Sequence, residues 1–408
     1  MSEQPSVRQV QEALDGFRPT RRTEPEQVAL DDALGRVPAA DVVASEPLPG
    51  FTRSAVDGYA VLSVDTSAAS EQQPASLDVI GAAHMGEPPA APLQPGTAIA
   101  VATGSALPAG ADAIVMVEHV SAPGAGAVVH VSRAARAGQH VVLEDDDFAA
   151  GAVIARAGHP ITAREIAALA AAGEIAPTVR RRPRVAIIST GDEVVPADTR
   201  ALAPGQVRDA IAPALAALVC DAGGEPVLHG IVPDDEPALE RACRAALADC
   251  DVLVLSAGSS VGERDLTARV VERLGPPGIW CHGLALRPGK PTLLAEVAGV
   301  PLIGLPGNPL SALVVFELVG VPIVRLVGGY TSRQVRPSVR AVLAVDVPSA
   351  AGRLEIVQVR LVDGEVHPLP KGSALLSTLV RADGQIAVPV ECASLSAGDS
   401  VEVWVRAG

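Results

Sequence analysis

Two groups of residues in this chain are set up for chemistry on an anion. Asp57 precedes a glycine in Ser54-Ala55-Val56-Asp57-Gly58-Tyr59-Ala60. Far downstream, Arg287-Pro288-Gly289-Lys290-Pro291 and Pro306-Gly307-Asn308-Pro309-Leu310-Ser311 are Pro/Gly-stiffened segments carrying two cations and a hydroxyl. A carboxylate suits a hard divalent cation, and charge-assisted donors suit phosphate-like oxyanions, so the set points to a metal-bridged anionic ligand and to phosphate chemistry. A lone lysine is ordinarily a solvated surface residue. Lys290 differs in being offered from a stiff turn, with Arg287 three residues earlier as a second cationic donor.

The elements that must position these groups read as α/β. Apolar strands at Arg184–Thr190, Pro226–Val232 and Asp251–Ser256 alternate with helices at Pro213–Ala222 and Pro237–Cys250, which implies a parallel sheet covered on both faces. Ligands of such sheets sit beyond the carboxyl ends of the strands, where Gly191-Asp192-Glu193, Asp234 and the stretch Gly258-Ser259-Ser260-Val261-Gly262 with Asp265 all fall. Small residues in that last stretch let backbone N–H groups approach an anion. Pro306–Ser311 lies between the apolar strand Val300–Leu305 and a helix over Ser311–Val319, so Ser311 is either an oxyanion donor at a helix N-terminus or a plain N-cap.

Around this centre, residues 6–47 carry a helix-like spacing, Val7, Val10, Leu14 and then Val28, Leu30, Leu34. Residues 48–146 break into short Val/Ile/Ala runs punctuated by Pro and Gly, the pattern of a small β domain. A capping box at Thr162-Ala163-Arg164-Glu165 opens a helix that closes at Gly173 and is expected to pack with the N-terminal ones. From Thr331 the sequence alternates apolar and polar, with Asp363-Gly364 and Asp383-Gly384 as hairpin turns of a C-terminal β-barrel or sandwich. The expected domains are 1–47 with 147–180 (helical), 48–146 (inserted β), 181–330 (three-layer α/β with a parallel or mixed sheet) and 331–408 (C-terminal β-barrel).

Composition narrows the function. With 32 Lys+Arg against 47 Asp+Glu the formal charge is −15, and aromatics are 2%, so neither a phosphate backbone nor base stacking is catered for and nucleic acid is excluded as a partner. Five cysteines without a C-x-x-C pair give neither a disulfide framework nor a zinc site, and Cys243 and Cys250 fall on an apolar helical face. No signal peptide and no membrane-spanning run is read from the sequence, so a cytoplasmic protein without a membrane partner is expected.

The order Ser54–Ala60, Ser189-Thr190-Gly191-Asp192-Glu193, Gly258–Gly262 with Asp265, Pro288–Pro291 and Pro306–Pro309 resembles the molybdopterin molybdenumtransferase family, which includes MoeA and the gephyrin E-domain. The resemblance runs over nearly the whole chain. It implies a homodimer with composite sites, in which Asp57 and Thr103 of one subunit face the pterin-binding domain of the other. It implies adenylylated molybdopterin and molybdate as substrates, with Mg²⁺ held by Asp57, Glu193 and Asp265. Catalytic roles are carried to Asp57, Thr103, Glu193, Asp234, Asp265 and Lys290, and substrate-binding roles to Asp147, Gly258, Ser260, Arg287, Pro306, Gly307, Asn308 and Ser311. Other molybdenum cofactor biosynthesis proteins are further candidate partners. Three segments depart from the family pattern: acidic Glu144-Asp145-Asp146-Asp147 where arginines are common, Ser256-Ala257-Gly258-Ser259 for Ser-Gly-Gly-Val, and Asp209-Ala210-Ile211 without the usual asparagine. The alternatives are a Mog-like molybdopterin adenylyltransferase, which would not need the Asp57 segment or the flanking β domains, and a pterin-binding scaffold without turnover.

Overall fold

The computed structural model describes residues 8–17, 19–88, 91–121, 128–256, 263–331, 336–372 and 375–405, without the side chains of 263–265. The chain forms two compact units, Met1–Ala40 with Ala157–Ile161 and Thr178–Gly408, and Asp41–Arg156 with Thr162–Pro177. These divide the chain at other points than the sequence boundaries at 47/48 and 146/147.

The first unit is built on a six-stranded mixed sheet in the order Glu225–Val232, Arg184–Thr190, Val252–Ser256, Val300–Leu305, Leu293–Val297, Pro277–His282. The first four strands are parallel; Leu293–Val297 runs antiparallel to them, and Pro277–His282 pairs antiparallel to Leu293–Val297. Alternation within each apolar run explains why the runs are continuous. Val185 and Ile187, with Val252 and Val254, enter one core, whereas Ala186 and Ile188, with Leu253 and Leu255, enter the other. Helices Ile211–Asp221 and Pro309–Val327 cover the first face, and Glu236–Leu247 and Glu263–Leu274 the second, completing three layers. Cys243 and Cys250 lie in the second core, where burial pushes both thiols up to about 12.

Pro309–Val327 has the length (19 residues) and mean hydropathy (2.2) of a membrane span, but Ser311, Glu317 and Arg325 interrupt its apolar run and 67% of its most apolar window is buried inside the protein as a core helix. It is not uniformly α-helical. Phe316–Gly320 forms a π turn just before Pro322, which has no N–H to donate and whose ring would meet the carbonyl of residue 318 in a regular helix.

Strands Ser338–Leu343, Leu354–Val362, Glu365–Pro368, Gly384–Val388 and Ser400–Val405 pair into a closed ring, a five-stranded barrel around Val357, Val359, Val366, Ile386 and Val403. Asp363-Gly364 is a hairpin turn as expected. Asp383-Gly384 is not: Gly384 opens a strand after the helix Leu376–Arg381, and a Cβ there would lie 2.6 Å from the Trp404 carbonyl oxygen.

Among the described residues, the N-terminal helical pattern is realised as α-helix only at Val10–Gly16. The second periodic run becomes a strand, Pro25–Gln27, paired antiparallel with Thr178–Arg180, followed by a short 3₁₀ turn at Leu30–Asp32. The strand's partner lies about 150 residues away, where local periodicity cannot register it. In the second unit a six-stranded sheet runs in the order Ala113–Met116, Gly58–Val61, Thr97–Val101, Ala75–Ala83, Val128–Val131, Val120–Ser121. The Thr162–Glu165 capping box opens helix Ala163–Ala171, which packs on the strand Val153–Ala155 of the same unit.

At the amino end of the central sheet the Asp251 carboxylate, 2% exposed, accepts hydrogen bonds from Arg21 Nε (3.0 Å), Arg181 Nη1 and Nη2 (2.8 and 3.1 Å) and the Arg184 amide (2.8 Å). Burial alone would raise its pKa, but these donors outweigh burial and hold it below the ordinary aspartate value of 3.8. A folded pKa below the unfolded one contributes stability that is full above 3.8 and lost as pH falls through the folded value. Asp251→Asn should therefore lower unfolding free energy at neutral pH by about 2 kcal/mol, less than the ~3–5 of a fully buried pair because both arginines stay partly in water. In denaturation series the gap to wild type should close as pH drops below 3.8; a gap independent of pH would refute the assignment.

Candidate active site

The strand order turns at Arg184–Thr190, whose chain successors pair on one side (Glu225–Val232) and then the other (Val252–Ser256). A crevice opens beyond the carboxyl ends at such a switch point. Ser189 pairs in register with Ser256, and the Ser256 hydroxyl donates to Ser189 Oγ at 3.3 Å. Ser189 Oγ donates to Asp209 Oδ2 at 2.6 Å, while Asp209 Oδ1 accepts from the amides of Ile211 (3.1 Å) and Ala212 (3.0 Å) at the start of helix Ile211–Asp221. Asp209, at one of the segments that depart from the family pattern, thus ties two strand ends to a helix start.

Directly after this strand, Gly191 takes φ +139, and a Cβ there would sit 2.8 Å from Glu193 Oε2, so only glycine lets the Glu193 side chain fold back over the strand end. Asp192 and Asp234 grip each other reciprocally, the Asp234 amide donating to Asp192 Oδ1 (3.2 Å) and the Asp192 amide to Asp234 Oδ2 (3.4 Å). Asp234 Oδ1 is buried without a hydrogen-bond partner. A buried orphan acceptor is costly. Gly258 and Ser260 lie outside the described residues, and Asp265 is described only as part of the backbone of helix Glu263–Leu274.

Further along the same edge of the sheet a cavity of ≈ 630 Å³ gathers Arg287, Lys290, Pro306, Asn308 and Ser311 with Arg353 and Lys371 of the barrel domain. Gly307 sits between two of these lining residues. Gly289 sets the turn: at φ +122, a Cβ would come within 2.4 Å of Val315 on the core helix. Lys290 is exposed, and its carbonyl accepts from the amides of Leu284 and Thr292 (both 2.9 Å). Arg287 pairs in register with Glu355, and Glu355 Oε1 lies 3.7 Å from Arg287 Nη1 and 2.7 Å from Lys371 Nζ. Glu355 is 2% exposed and also accepts from Ser349 Oγ at 2.7 Å. Burial pushes its pKa up, but the Lys371 and Ser349 hydrogen bonds and the charges of Lys371 and Arg287 bring it below the usual glutamate range. Ser311 is not the N-cap: Asn308 holds that position, and Ser311 is the third helical residue, 4% exposed.

In the second unit, Asp57 Oδ1 accepts from the Thr103 amide (2.7 Å) and the Thr103 hydroxyl (3.0 Å), and these bonds lower the Asp57 pKa. Asp57-Gly58 is not a turn, since Gly58 opens a strand pressed against Val115. Asp147 is exposed, its amide donating to the Leu48 carbonyl at 3.0 Å.

Among the described residues no group of three or more His, Cys, Asp or Glu side chains converges as a self-sufficient metal site. The structure brings Asp57 to Thr103, Asp192 to Asp234, and Arg287, Lys290 and Ser311 to one cavity. Sequence reasoning missed Asp192 as the partner of Asp234, and Arg353, Glu355 and Lys371 altogether, because barrel residues reach the cavity only through closure of the fold. The one local signal was a basic residue, Arg353, directly before the apolar strand. Asp209→Ala should lose the helix start and leave the Ser189 hydroxyl without its acceptor, lowering thermal stability by about 1–2 kcal/mol, whereas Asp209→Asn keeps the Oδ1 acceptor and should lose less. Equal melting temperatures for wild type and Asp209→Ala would exclude this role.

Comparison with known proteins agrees with this layout. Three family models match in succession: "MoeA N-terminal region (domain I and II)" over residues 6–173, "Probable molybdopterin binding domain" over 186–326, and "MoeA C-terminal region (domain IV)" over 340–405. The chain is 35% identical over 411 residues to the molybdopterin molybdenumtransferase of Nostoc sp., covering 98% of this chain and 93% of that one. It is 34% identical over 392 residues to molybdopterin molybdenumtransferase 2 of Mycobacterium tuberculosis, covering 94% and 96%. A crystal structure of the molybdopterin biosynthesis MoeA protein from Pyrococcus horikoshii superposes with a TM-score of 0.84 at 34% identity, covering 99% of this chain and 100% of that one. The five separated motifs, the α/β sheet with its populated carboxyl edge and the full-length likeness together place this chain in the MoeA family of molybdopterin molybdenumtransferases.

Proposed function

We propose that the chain inserts molybdenum from molybdate into adenylylated molybdopterin with Mg²⁺-dependent release of AMP, acting in the cytoplasm as a homodimer. The observation that carries this reading is the sorting of charge along one sheet edge. Carboxylates Glu193 and Asp234 end the strands on one side, and Arg287, Lys290, Arg353 and Lys371 surround the cavity beyond Val300–Leu305. The strands ending in these two groups stand two apart for Glu193, roughly 10 Å at the usual spacing. One ligand with a pyrophosphate at one end and an oxyanion at the other matches that division.

In this reading Lys290, Arg287 and Arg353 donate to molybdate oxygens, and the Ser311 hydroxyl donates from the first turn of the core helix. Pro306, Gly307 and Asn308 shape the cavity floor, Ser260 is assigned to the molybdate pocket with Arg287, Lys290 and Ser311, and Gly258 is assigned to substrate binding. The orphaned Asp234 Oδ1, with Glu193 close by in sequence to its partner Asp192, fits a hard cation that takes one or two carboxylates and completes its shell from phosphate. Asp57 and Asp265 are assigned to the same ion. These carboxylates would hold a Mg²⁺ that, when bound, would offset their repulsion toward pyrophosphate and supply Lewis-acid polarisation of the bond that breaks. Asp57, with Thr103 fixing one of its oxygens, comes from the partner subunit, and Asp147 is assigned to substrate binding.

Incubating the protein with adenylylated molybdopterin, Mg²⁺ and molybdate should release AMP in equal amount to the metal incorporated; AMP release without incorporation would sink the assignment. Lys290→Ala should weaken apparent molybdate affinity about ten- to a hundredfold, the value of a charge-assisted hydrogen bond, with less effect on the nucleotide.

The composite site has its own test. Mixed dimers of Asp57→Asn and Lys290→Ala subunits should regain part of the activity, because one of the two sites is then intact. Heterodimers that form but stay inactive would rule out sharing between subunits.

A further inference from the structure

A second cavity, of ≈ 380 Å³, shares no lining residue with the one that holds Lys290. Its walls are apolar, with Phe17 of the N-terminal helix, Leu318, Pro322 and Ile323 of the core helix and Trp404 of the last barrel strand. Into these walls are set two arginines that the reaction does not use. The Arg325 guanidinium lies 3.8 Å from the Tyr330 ring centroid, and that of Arg336 lies 5.1 Å from the Trp404 ring. Arg336 Nη2 donates to the Glu317 carbonyl at 2.7 Å, in the π turn.

Their remaining donors are not matched. Arg325 Nε and Arg336 Nη1 are both buried without an acceptor. Among the described residues Arg325 forms no ion pair; Glu317 also lines the cavity, its charge acts on Arg336, and its Oε2 accepts from Gln385 Nε2 at 3.0 Å, so two guanidinium groups face one carboxylate and the lining keeps a net positive charge. A guanidinium stays protonated in proteins, so burial here leaves positive charge and unfilled donors rather than a neutral group. Apolar walls with a few convergent polar groups are the usual make-up of a small-molecule site, and this volume is at the small end of that range.

We propose that this cavity binds a small amphipathic carboxylate, with the apolar or aromatic body between Phe17, Leu318, Pro322 and Trp404 and the carboxylate facing Arg325 and Arg336. Both halves of the ligand are required. A compact inorganic anion leaves the apolar walls unfilled, and a neutral apolar molecule leaves the guanidinium donors unmatched.

Trp404 lines the cavity and reports its occupancy. Decanoate and 3-phenylpropionate, titrated into the full chain, should quench tryptophan fluorescence saturably, and Trp404→Phe should remove that change while Trp280→Phe keeps it. Decanamide and acetate should each bind at least tenfold more weakly than decanoate. Arg325→Met should weaken decanoate at least tenfold, and Arg325→Lys, which keeps charge but not the planar fork, should fall between. If Arg325→Met does not fold, the acid-against-amide comparison on wild type still decides. No saturable change up to the solubility of the acids, including the case where a second copy of the chain covers the cavity, overturns the proposal. So does amide or acetate binding as tight as decanoate, or an Arg325→Met protein that folds and binds decanoate unchanged.

Discussion

A sheet buried on both faces leaves its strands no room for polar side chains except beyond their ends, and the chemistry of this protein follows from that constraint. Val185 and Ile187 commit one face of the central strand to one core, and Ala186 and Ile188 commit the other to a second. Ser189 is the first polar group after the apolar run of that strand, and it is at once taken up by Asp209 and Ser256. Polar function resumes with Gly191–Glu193, where the chain leaves the layers. The same holds at the amino edge, where Asp251 is tolerated only because four donors converge on it.

The cationic cavity depends on a related device. Arg287, Lys290, Arg353 and Lys371 would repel one another around an empty space, and Glu355 is the buried counter-charge that makes the grouping stable. Because Glu355 lies on the barrel strand that pairs with Leu286–Arg287, one short parallel ladder both joins the barrel domain to the α/β layers and neutralises part of the site. The protein as a whole is strongly acidic, so a local reversal of sign needs this kind of anchored construction.

Much of this was legible in the sequence, and the limits have physical causes. The α/β strands and helices could be read because two-sided burial writes unbroken apolar runs, and the Thr162–Glu165 box because capping is a local interaction. The Lys290 and Ser311 segments could be paired in advance because stiff turns next to strand ends have few places to go. What escaped was long-range. The strand at Pro25–Gln27 needs a partner from Thr178–Arg180, and Arg353 and Lys371 reach the site only when the barrel closes. Asp383-Gly384 has the letters of a hairpin, but its glycine answers a close approach to Trp404 in another strand. The Asp192–Asp234 grip joins two strand ends more than 40 residues apart, and no local pattern records it.

The core helix Pro309–Val327 bears on how the protein is made. By hydropathy it is a segment that a nascent chain would be expected to keep from water, yet every strand of the sheet it covers precedes it in the chain. Synthesis proceeds from the N-terminus, and domains form in that order as they leave the ribosome. When Leu310, Val314, Phe316 and Val324 emerge, the apolar face made by Val185, Ile187, Val254 and Ile303 has already been translated and can receive them. This long apolar helix therefore meets its own docking surface at once, without waiting for the barrel to be synthesised.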